Sequence, residues 1–271
     1  MRKKEEHAHD LAKLFDEFII TGVDGKIIEY LTSNSNLPGP RANLELAEMF
    51  AEIVEEYCAK DCERLRDLCQ KLIGFKSDIA PVNDPKEFLP FCGAVGIGSI
   101  GSVSKDFFQK SLPILRESAN DPRWRMREAV AKGIQELISK QSQGILRELE
   151  TWIIKEDWLV MRAVAAGAAE PTLLRDKHTA RSALNLHIKI FRAILDSDER
   201  KSEDFKILKK GLGYTLSVVI CAIPEEGFEY LYQLVDSRDK DVMGIIKENL
   251  KKNRLIKNFP DEVTSLKKLL K

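Results

Sequence analysis

The feature that most constrains the fold of this chain is a sequence pattern that recurs after 35 positions. The first copy, residues 121–138, places apolar residues at the three- and four-residue spacing of a helix. The second copy, residues 158–169, aligns with it when Met161 is superposed on Met126. A helical recurrence of this length is typical of repeats built from paired helices. It predicts an array of helices whose apolar faces pack on their neighbours.

The first copy carries the signals of a helix that packs closely against other helices. Asp121 is a residue type that caps helices, and Pro122 fits the first helical position, where a missing N–H has no partner to lose. Further along, Ala129 and Gly133 lie on the apolar face and are small enough to admit a second helix. We therefore expect residues 122–140 to form a helix that is buried along one side.

Helical spacing continues through most of the chain, and alternation with period two is almost absent. The predicted helices lie at residues 4–20, 24–31, 43–58, 61–74, 86–101, 105–118, 122–140, 143–154, 157–169, 179–196, 202–221, 225–236, 239–251 and 260–270. Residues 43–58 and 61–74 form either two separate helices or one helix joined near Asp61. Helices of this length with short connections predict an all-α superhelix of antiparallel helix pairs.

Prolines mark the best candidate for a domain boundary. The loop at residues 77–85 contains Pro81 and Pro85 and follows an N-terminal third in which no copy of the repeat is clear. We predict a divergent helical part at residues 1–80 and a repeat array at residues 81–271 that forms one continuous solenoid.

The repeated segments resemble a known family. They read Asp-Pro-x-Trp-x-Met-Arg-Glu-Ala-Val-Ala at 121–131, Trp-x-x-Met-Arg-Ala-Val-Ala-Ala at 158–166 and Glu-Pro-x-Leu-Leu at 170–174. This pattern is similar to HEAT-repeat proteins of the armadillo type, in particular to a group of bacterial and archaeal HEAT-like proteins, over roughly residues 86–255. The resemblance implies a HEAT-like α–α superhelix. Because the sequence offers no catalytic set and a repeat architecture generates extended surface, we expect a non-catalytic scaffold that binds another macromolecule, a protein, through its curved surface.

Charge and composition favour a folded, soluble protein of the cytoplasm. Lysine plus arginine and aspartate plus glutamate each number 43, so no overall field favours nucleic acid or an anionic membrane. The charged N-terminus lacks a signal-peptide core, and no apolar run reaches the roughly 18 residues of a membrane helix. Five cysteines without the spacing of a disulfide framework fit a reducing compartment. The oligomeric state stays open.

A glycine motif at residues 96–101 satisfies the G-x-G-x-x-G pattern of dinucleotide sites. That chemistry requires a preceding strand and a βαβ unit, whereas the chain around it is predicted to be helical. Close helix packing through Gly93, Gly96 and Gly101 is the favoured interpretation. No cofactor is predicted.

Cysteine and histidine spacing predicts no metal site. On a continuous helix Cys58, Cys62 and Cys69 would share one face, but no fourth ligand stands at a recognisable spacing, so buried cysteines are favoured. His178 and His187 flank a predicted helix without a partner for nucleophilic catalysis, and we interpret them as ordinary surface or partly buried histidines.

Two arginines, Arg127 and Arg162, occupy equivalent places in the two copies of the repeat. In HEAT-type stacks an arginine at this place commonly pairs with an acidic residue of the adjacent repeat, and the acids available are Asp121, Glu128, Glu156 and Asp157. A ladder of ion pairs is the favoured interpretation. The alternative is a concave groove that holds an anion.

A second resemblance gives an alternative function. Trp152, Trp158 and Arg162 form a local pattern similar to one in the HEAT-like DNA alkylation-repair glycosylases, whose concave surface faces damaged DNA. On this resemblance Asp157 is the nominee for the catalytic carboxylate. The implied base-stacking residues are Trp124, Trp152 and Trp158, and the implied phosphate contacts are Arg123, Arg125 and Arg127. Arg162 should lie on the same concave, positive face. This alternative is a DNA-binding enzyme, whereas a scaffold is not an enzyme and should bury the tryptophans between repeats.

The C-terminal segment from residue 242 onward is basic, with eight lysines and arginines against three acidic residues. Such a segment could bind the backbone of a nucleic acid. It could equally form a polar cap over the last repeat, which the end of a solenoid needs, and the cap is the favoured interpretation.

Overall fold

The computed structural model of this protein describes residues 2–103 and 105–270, with side chains for all of these except 2–6, 105, 141 and 142. Its α-helices are α1 (Arg2–Thr21), α2 (Gly25–Ser33), α3 (Leu44–Ile73), α4 (Phe88–Val103), α5 (Lys105–Ser118), α6 (Trp124–Thr151), α7 (Trp158–Ala168), α8 (Lys177–Leu195), α9 (Glu203–Ala222), α10 (Pro224–Asp236), α11 (Lys240–Asn249), α12 (Asn253–Asn258) and α13 (Pro260–Leu269). Short 3-10 turns lie at Pro85–Glu87 and Leu173–Arg175.

The all-α prediction is confirmed, because 78% of the structure is helical and the described residues contain no strand. Polar side chains accept first-turn N–H groups at the starts of several helices, and these caps are Asn43, Asp176, Ser202 and Asp239. None of the described helices combines the length and the apolar character needed to cross a membrane.

Two helix predictions were wrong. Residues 122–140 and 143–154 form the single helix α6, which begins at Trp124 rather than at residue 122. The predicted break lay at residues 141–142, where neither glycine nor proline stands to end a helix. The short helix α12 was not expected from the sequence.

The chain forms two compact units, unit 1 at residues 1–140 and unit 2 at residues 141–271. Helix α6 begins in unit 1 and ends in unit 2. The boundary of the repeat array at residue 81 stays a prediction.

In unit 1 the core is built around α4, of which almost every residue is buried. A Cβ atom at Gly98 would lie 2.5 Å from the Cα of Gly133 in α6, and one at Gly93 would lie 2.6 Å from the carbonyl oxygen of Cys69 in α3. Backbones approach this closely only where no side chain intervenes. The prediction that the motif at residues 96–101 serves helix packing is therefore confirmed, and this motif lies inside a helix rather than after a strand.

Helix α3 is interrupted at Asp61, where φ of −159° and ψ of 84° are not helical. Cys58 and Cys62 lie on either side of this kink and form a disulfide. The prediction of reduced cysteines aligned on one helical face was thus wrong, because the backbone turns between the first two. Cys69 is buried, as predicted, and lies near Cys92; burial raises the pKa of both thiols, which makes them unreactive.

In unit 2 the helix α9 contacts α7, α8, α10, α11 and α12. Trp158 of α7 packs edge-on against Phe205 of α9, with ring centroids 5.2 Å apart. The buried amide of Asn249 in α11 donates to the carbonyl oxygen of Leu212 and accepts the N–H of Ser217, both on α9. These contacts join α7 to the start of α9 and α11 to its middle, and they leave the amide of Asn249 satisfied.

The histidine at the centre of unit 2 is buried and neutral. Nδ1 of His187 lies 2.8 Å from the carbonyl oxygen of Ala183, and Nε2 lies 3.0 Å from Oγ1 of Thr215. Because a carbonyl oxygen only accepts, Nδ1 donates the proton and Nε2 accepts from the threonine hydroxyl. Burial lowers the pKa of His187 to about 4. His178, in contrast, is exposed.

We expect Gly98→Ala to destabilise the protein although alanine is the better helix former. The added methyl group would meet backbone atoms of Gly133 that cannot rotate away, and overpacking of this kind lowers the free energy of unfolding by about 1–3 kcal/mol or more. The control is Gly144→Ala in α6, which meets no atom within 4 Å and should raise the free energy of unfolding by about 0.5–1 kcal/mol. Urea denaturation of both variants checks this, and equal effects would contradict the packing of α4.

We expect His187 to make the protein less stable in mild acid. Its pKa of about 4 in the folded state lies below the ordinary 6.5, so between these values the unfolded state binds the proton first and stability falls as pH falls. This single group should lower the free energy of unfolding by about 2 kcal/mol between pH 7 and pH 5. Urea denaturation at both pH values should show a smaller pH effect for His187→Gln than for the wild type. His178→Gln should retain the wild-type effect, and loss of the effect in that control would contradict the assignment.

Candidate functional site

Side chains at the start of α6 differ sharply in their exposure to solvent. Trp124 is 47% exposed, whereas Arg123 and Arg125 on either side of it are only 1% and 4% exposed. In residues 123–125 the tryptophan ring therefore faces solvent, whereas the two guanidinium groups are buried. This is the reverse of what a phosphate-binding surface needs.

Arg123 makes four side-chain hydrogen bonds to partners within unit 1. Its Nε and Nη2 donate to the two carboxylate oxygens of Asp121 at 2.9 and 2.7 Å, a bidentate ion pair. Its Nη1 donates to the carbonyl oxygens of Phe75 and Ala80 at 2.8 and 3.0 Å. The guanidinium thus holds the loop after α3 against the start of α6.

Arg125 forms a second buried ion pair. Its Nη1 donates to Oε2 of Glu87 at 2.8 Å, and its Nη2 donates to the carbonyl oxygen of Gly39 at 2.7 Å. The same Oε2 accepts the N–H of Asn83, whose Oδ1 accepts the N–H of Gly39. Four residues from three separate segments therefore close one network. In the described residues Oε1 of Glu87 and Nε of Arg125 are buried without a hydrogen-bond partner.

The equivalent arginines of the two repeat copies lie in different units. Nη1 of Arg127 donates to the carbonyl oxygens of Asp121 and Pro122 at 3.0 and 2.8 Å, just before α6. Arg162 lies on α7 in unit 2, with its Cγ 3.3 Å from where a Cβ atom of Gly211 would be. The ladder of ion pairs between repeats stays a prediction.

A shallow groove of about 640 Å³ lies beside Trp124. It is lined by Pro38, Gly39, Pro40, Val82, Asn83, Trp124 and Arg125. Val82 is 55% exposed, and the guanidinium of Arg125 stacks 4.5 Å from the centre of the Trp124 ring. We call this set the Trp124 groove. Its exposed side chains are largely apolar, and its backbone is held by the Arg125 network.

The other two tryptophans are core residues of unit 2. Trp152 is 2% exposed and Trp158 is 4% exposed. Asp157 immediately precedes α7, and its carbonyl oxygen accepts the N–H of Met161. Neither buried ring presents a face on which a base could stack, as the DNA-repair resemblance would require.

A second cleft in unit 1, of about 280 Å³, lies between α3, α4 and α6 and is acidic. Its charged lining residues are Glu48, Glu52, Glu55, Glu136 and Lys132. Lys132 pairs with Glu48 at 3.2 Å. Burial and then the charge of Glu55 raise the pKa of Glu136. A carboxylate-rich cleft repels phosphate, so it offers no place for a DNA backbone.

Sequence reasoning missed the acceptors of the buried arginines. Glu87 lies 38 residues before its partner Arg125, and Gly39 lies 86 residues before it. No periodicity or motif connects positions so far apart. In the described residues no group of three or more His, Cys, Asp or Glu side chains could hold a metal ion.

Comparisons of the chain with protein families, with curated proteins and with solved structures found no match. The interpretation of the Trp124 groove therefore rests on its own residues and geometry.

We expect the pair Glu87 and Arg125 to be strongly coupled in stability. Replacing only one partner, as in Arg125→Met or Glu87→Leu, leaves the other charge buried and should lower the free energy of unfolding by about 3–5 kcal/mol. The double variant should lose much less than the sum. The matched control is the surface pair Arg181 and Glu226, also 2.8 Å apart, where Arg181→Met should cost less than about 1 kcal/mol. Equal losses at the two arginines in urea denaturation would contradict this account.

Proposed function

We propose that this protein is a HEAT-like α-solenoid that binds another protein and catalyses no reaction. The sequence recurrence that predicts the repeat falls on two successive helices, α6 and α7, separated by a short connection. From α5 onward the helices follow one another through short connections, as in helical repeats, whereas the connections that precede α3 and α4 are longer. Arrays of this kind use extended surfaces for binding, and the Trp124 groove is the surface we assign to it.

The scaffold hypothesis expected the tryptophans to be buried; Trp152 and Trp158 are buried, but Trp124 is not, and for Trp124 that expectation was wrong. The observation that carries the proposal is this exposure of Trp124 above a network that immobilises its surroundings. Tryptophan is among the residues that most often dominate the binding energy of protein interfaces. The groove backbone is fixed by the hydrogen bonds of Gly39 with Asn83 and Arg125, so little ordering entropy remains to be lost on binding.

The partner we assign to the groove is a protein segment that places an apolar side chain on Trp124. The exposed lining from Pro38, Pro40 and Val82 suits such a side chain. The one cation of the lining, Arg125, is already paired with Glu87, so an acidic partner would gain little from it. An apolar contact area at the centre of a polar rim is the usual anatomy of a protein interface.

The alternative of a DNA-repair enzyme gains little support from the side chains that the resemblance nominates. Arg123 and Arg125 are paired within the fold, and Trp152 and Trp158 are buried. Trp124 remains as an exposed aromatic residue, without an unpaired arginine beside it. This alternative predicts selective binding to duplex DNA with an abasic-site analogue, which a salt series tests directly.

We expect Trp124→Ala to weaken the binding of an apolar peptide roughly 30-fold, the effect of losing one interface hot spot. Peptides are first selected from a displayed random library against the full chain, and the affinity of each synthetic peptide is then measured. Binding should also shift the emission of Trp124 to the blue, since it is far more exposed than the other two tryptophans.

The matched control is Tyr232→Ala, which removes another exposed aromatic ring, 37% accessible and in unit 2. This variant should bind the selected peptides as the wild type does. If the peptides bind Trp124→Ala with unchanged affinity, the Trp124 groove is not the binding surface.

A further inference from the structure

Unit 2 carries an aromatic ring whose electrostatic setting is opposite to that of the Trp124 groove. Tyr214 on α9 is 49% exposed. The guanidinium of Arg254 lies 4.5 Å from the centre of its ring, and Nζ of Lys252 lies 5.9 Å from it. Nη2 of Arg254 also donates a hydrogen bond of 2.6 Å to the tyrosine hydroxyl oxygen. Two cations are therefore held at one exposed ring.

These cations are not neutralised as Arg123 and Arg125 are. Within the described part of the chain, no carboxylate lies at ion-pair distance from Arg254 or Lys252. An acidic neighbour is Glu248, whose pKa is lowered first by its hydrogen bond with Lys251 and less by the charge of Lys252. The positive charge at the ring is thus available to an outside anion.

The basic surface extends along α9. Lys210 lies four residues before Tyr214, and both are exposed, so the two side chains share one face of the helix. Between them, Gly211 leaves room for the side chain of Arg162 from α7. We call Lys210, Tyr214, Lys252 and Arg254 the Tyr214 surface. It joins α9 to part of the basic C-terminal segment seen in the sequence.

We propose that the Tyr214 surface binds single-stranded nucleic acid, with phosphates at Lys210, Lys252 and Arg254 and an unpaired base stacked at Tyr214. Surfaces that bind single strands combine cations along the backbone with an aromatic ring for the bases. The base stacks on the exposed part of the ring or on the guanidinium plane of Arg254. A base pair inside a duplex offers no free face to this ring.

Other anionic partners fit the same residues less well. An acidic peptide would pair with the cations but would leave the exposed ring without a planar partner. A membrane surface needs apolar side chains to insert, and the four members of the Tyr214 surface include no aliphatic apolar residue. The combination of one ring with three cations therefore favours a strand with planar bases and regularly spaced phosphates.

The test measures fluorescence anisotropy of a labelled oligothymidylate of about 15 nucleotides with the full chain at several salt concentrations. Tyr214→Ala should weaken binding about tenfold, and Arg254→Gln should weaken it and reduce the slope of log affinity against log salt by about one. Lys210→Gln, at an exposed position, gives a third variant that does not disturb packing. Circular dichroism verifies the fold of each variant.

The matched controls are Tyr232→Ala and Lys268→Gln, which remove an exposed ring and an exposed charge elsewhere in unit 2. Both should bind the oligonucleotide as the wild type does. Equal affinity for a duplex, for heparin or for vesicles with anionic lipid would overturn the proposal in favour of a charge-only surface. Unchanged binding by Tyr214→Ala and Arg254→Gln, or no binding at low salt, would overturn it as well.

This proposal stands apart from the protein-binding function. Trp124→Ala should leave oligonucleotide binding unchanged, and Tyr214→Ala should leave the binding of the selected apolar peptides unchanged. If the chain binds the peptides but not the oligonucleotide, the proposal for the Tyr214 surface fails. If it binds the oligonucleotide but not the peptides, the proposal for the Trp124 groove fails.

Discussion

The close approach of helix backbones to α4 is the contact on which unit 1 depends. A helix buried on nearly all sides can be surrounded only if its neighbours come near enough to exclude water, and Gly93 and Gly98 allow this. The crossing of Gly98 with Gly133 places α6 against the core. Because α6 is held there, its first turn meets the loops that follow α2 and α3, and the buried arginines find their acceptors.

Arg123 and Arg125 are neutralised by buried ion pairs, so the exposed ring of Trp124 stands beside paired rather than free cations. Asp121 and Glu87 neutralise Arg123 and Arg125, and backbone carbonyls of the loops take up most of the remaining donors. Burying a charge is tolerated only with such partners. The same residue type behaves differently at Tyr214, where Arg254 has an aromatic ring and no carboxylate beside it. Partner identity, rather than the number of basic residues, decides which surface attracts an anion.

Much of the fold could be predicted from local patterns. Helices were expected near most of their observed positions because apolar spacing is a property of neighbouring residues. The glycines of α4 were correctly assigned to packing, since a dinucleotide site needs a strand that the local pattern lacks. The pairing of Cys58 with Cys62 was not predicted, because it depends on a backbone break at Asp61 that a continuous helical pattern conceals.

In the candidate site, too, some features could be predicted from local sequence patterns and others could not. The exposed or buried state of Trp124, Trp152 and Trp158 could not be read from their spacing, because all three stand near helix ends and only Trp124 is exposed. Local residue patterns were sufficient for helix positions, the all-α class and the packing role of the glycines, since these depend on contacts a few residues apart. The carbonyl partners of Arg123, the partners of Arg125 and the meeting of Tyr214 with Arg254 involve residues tens of positions apart. Only the folded chain brings such residues together, and their electrostatic and packing contacts decide which surface is free to bind.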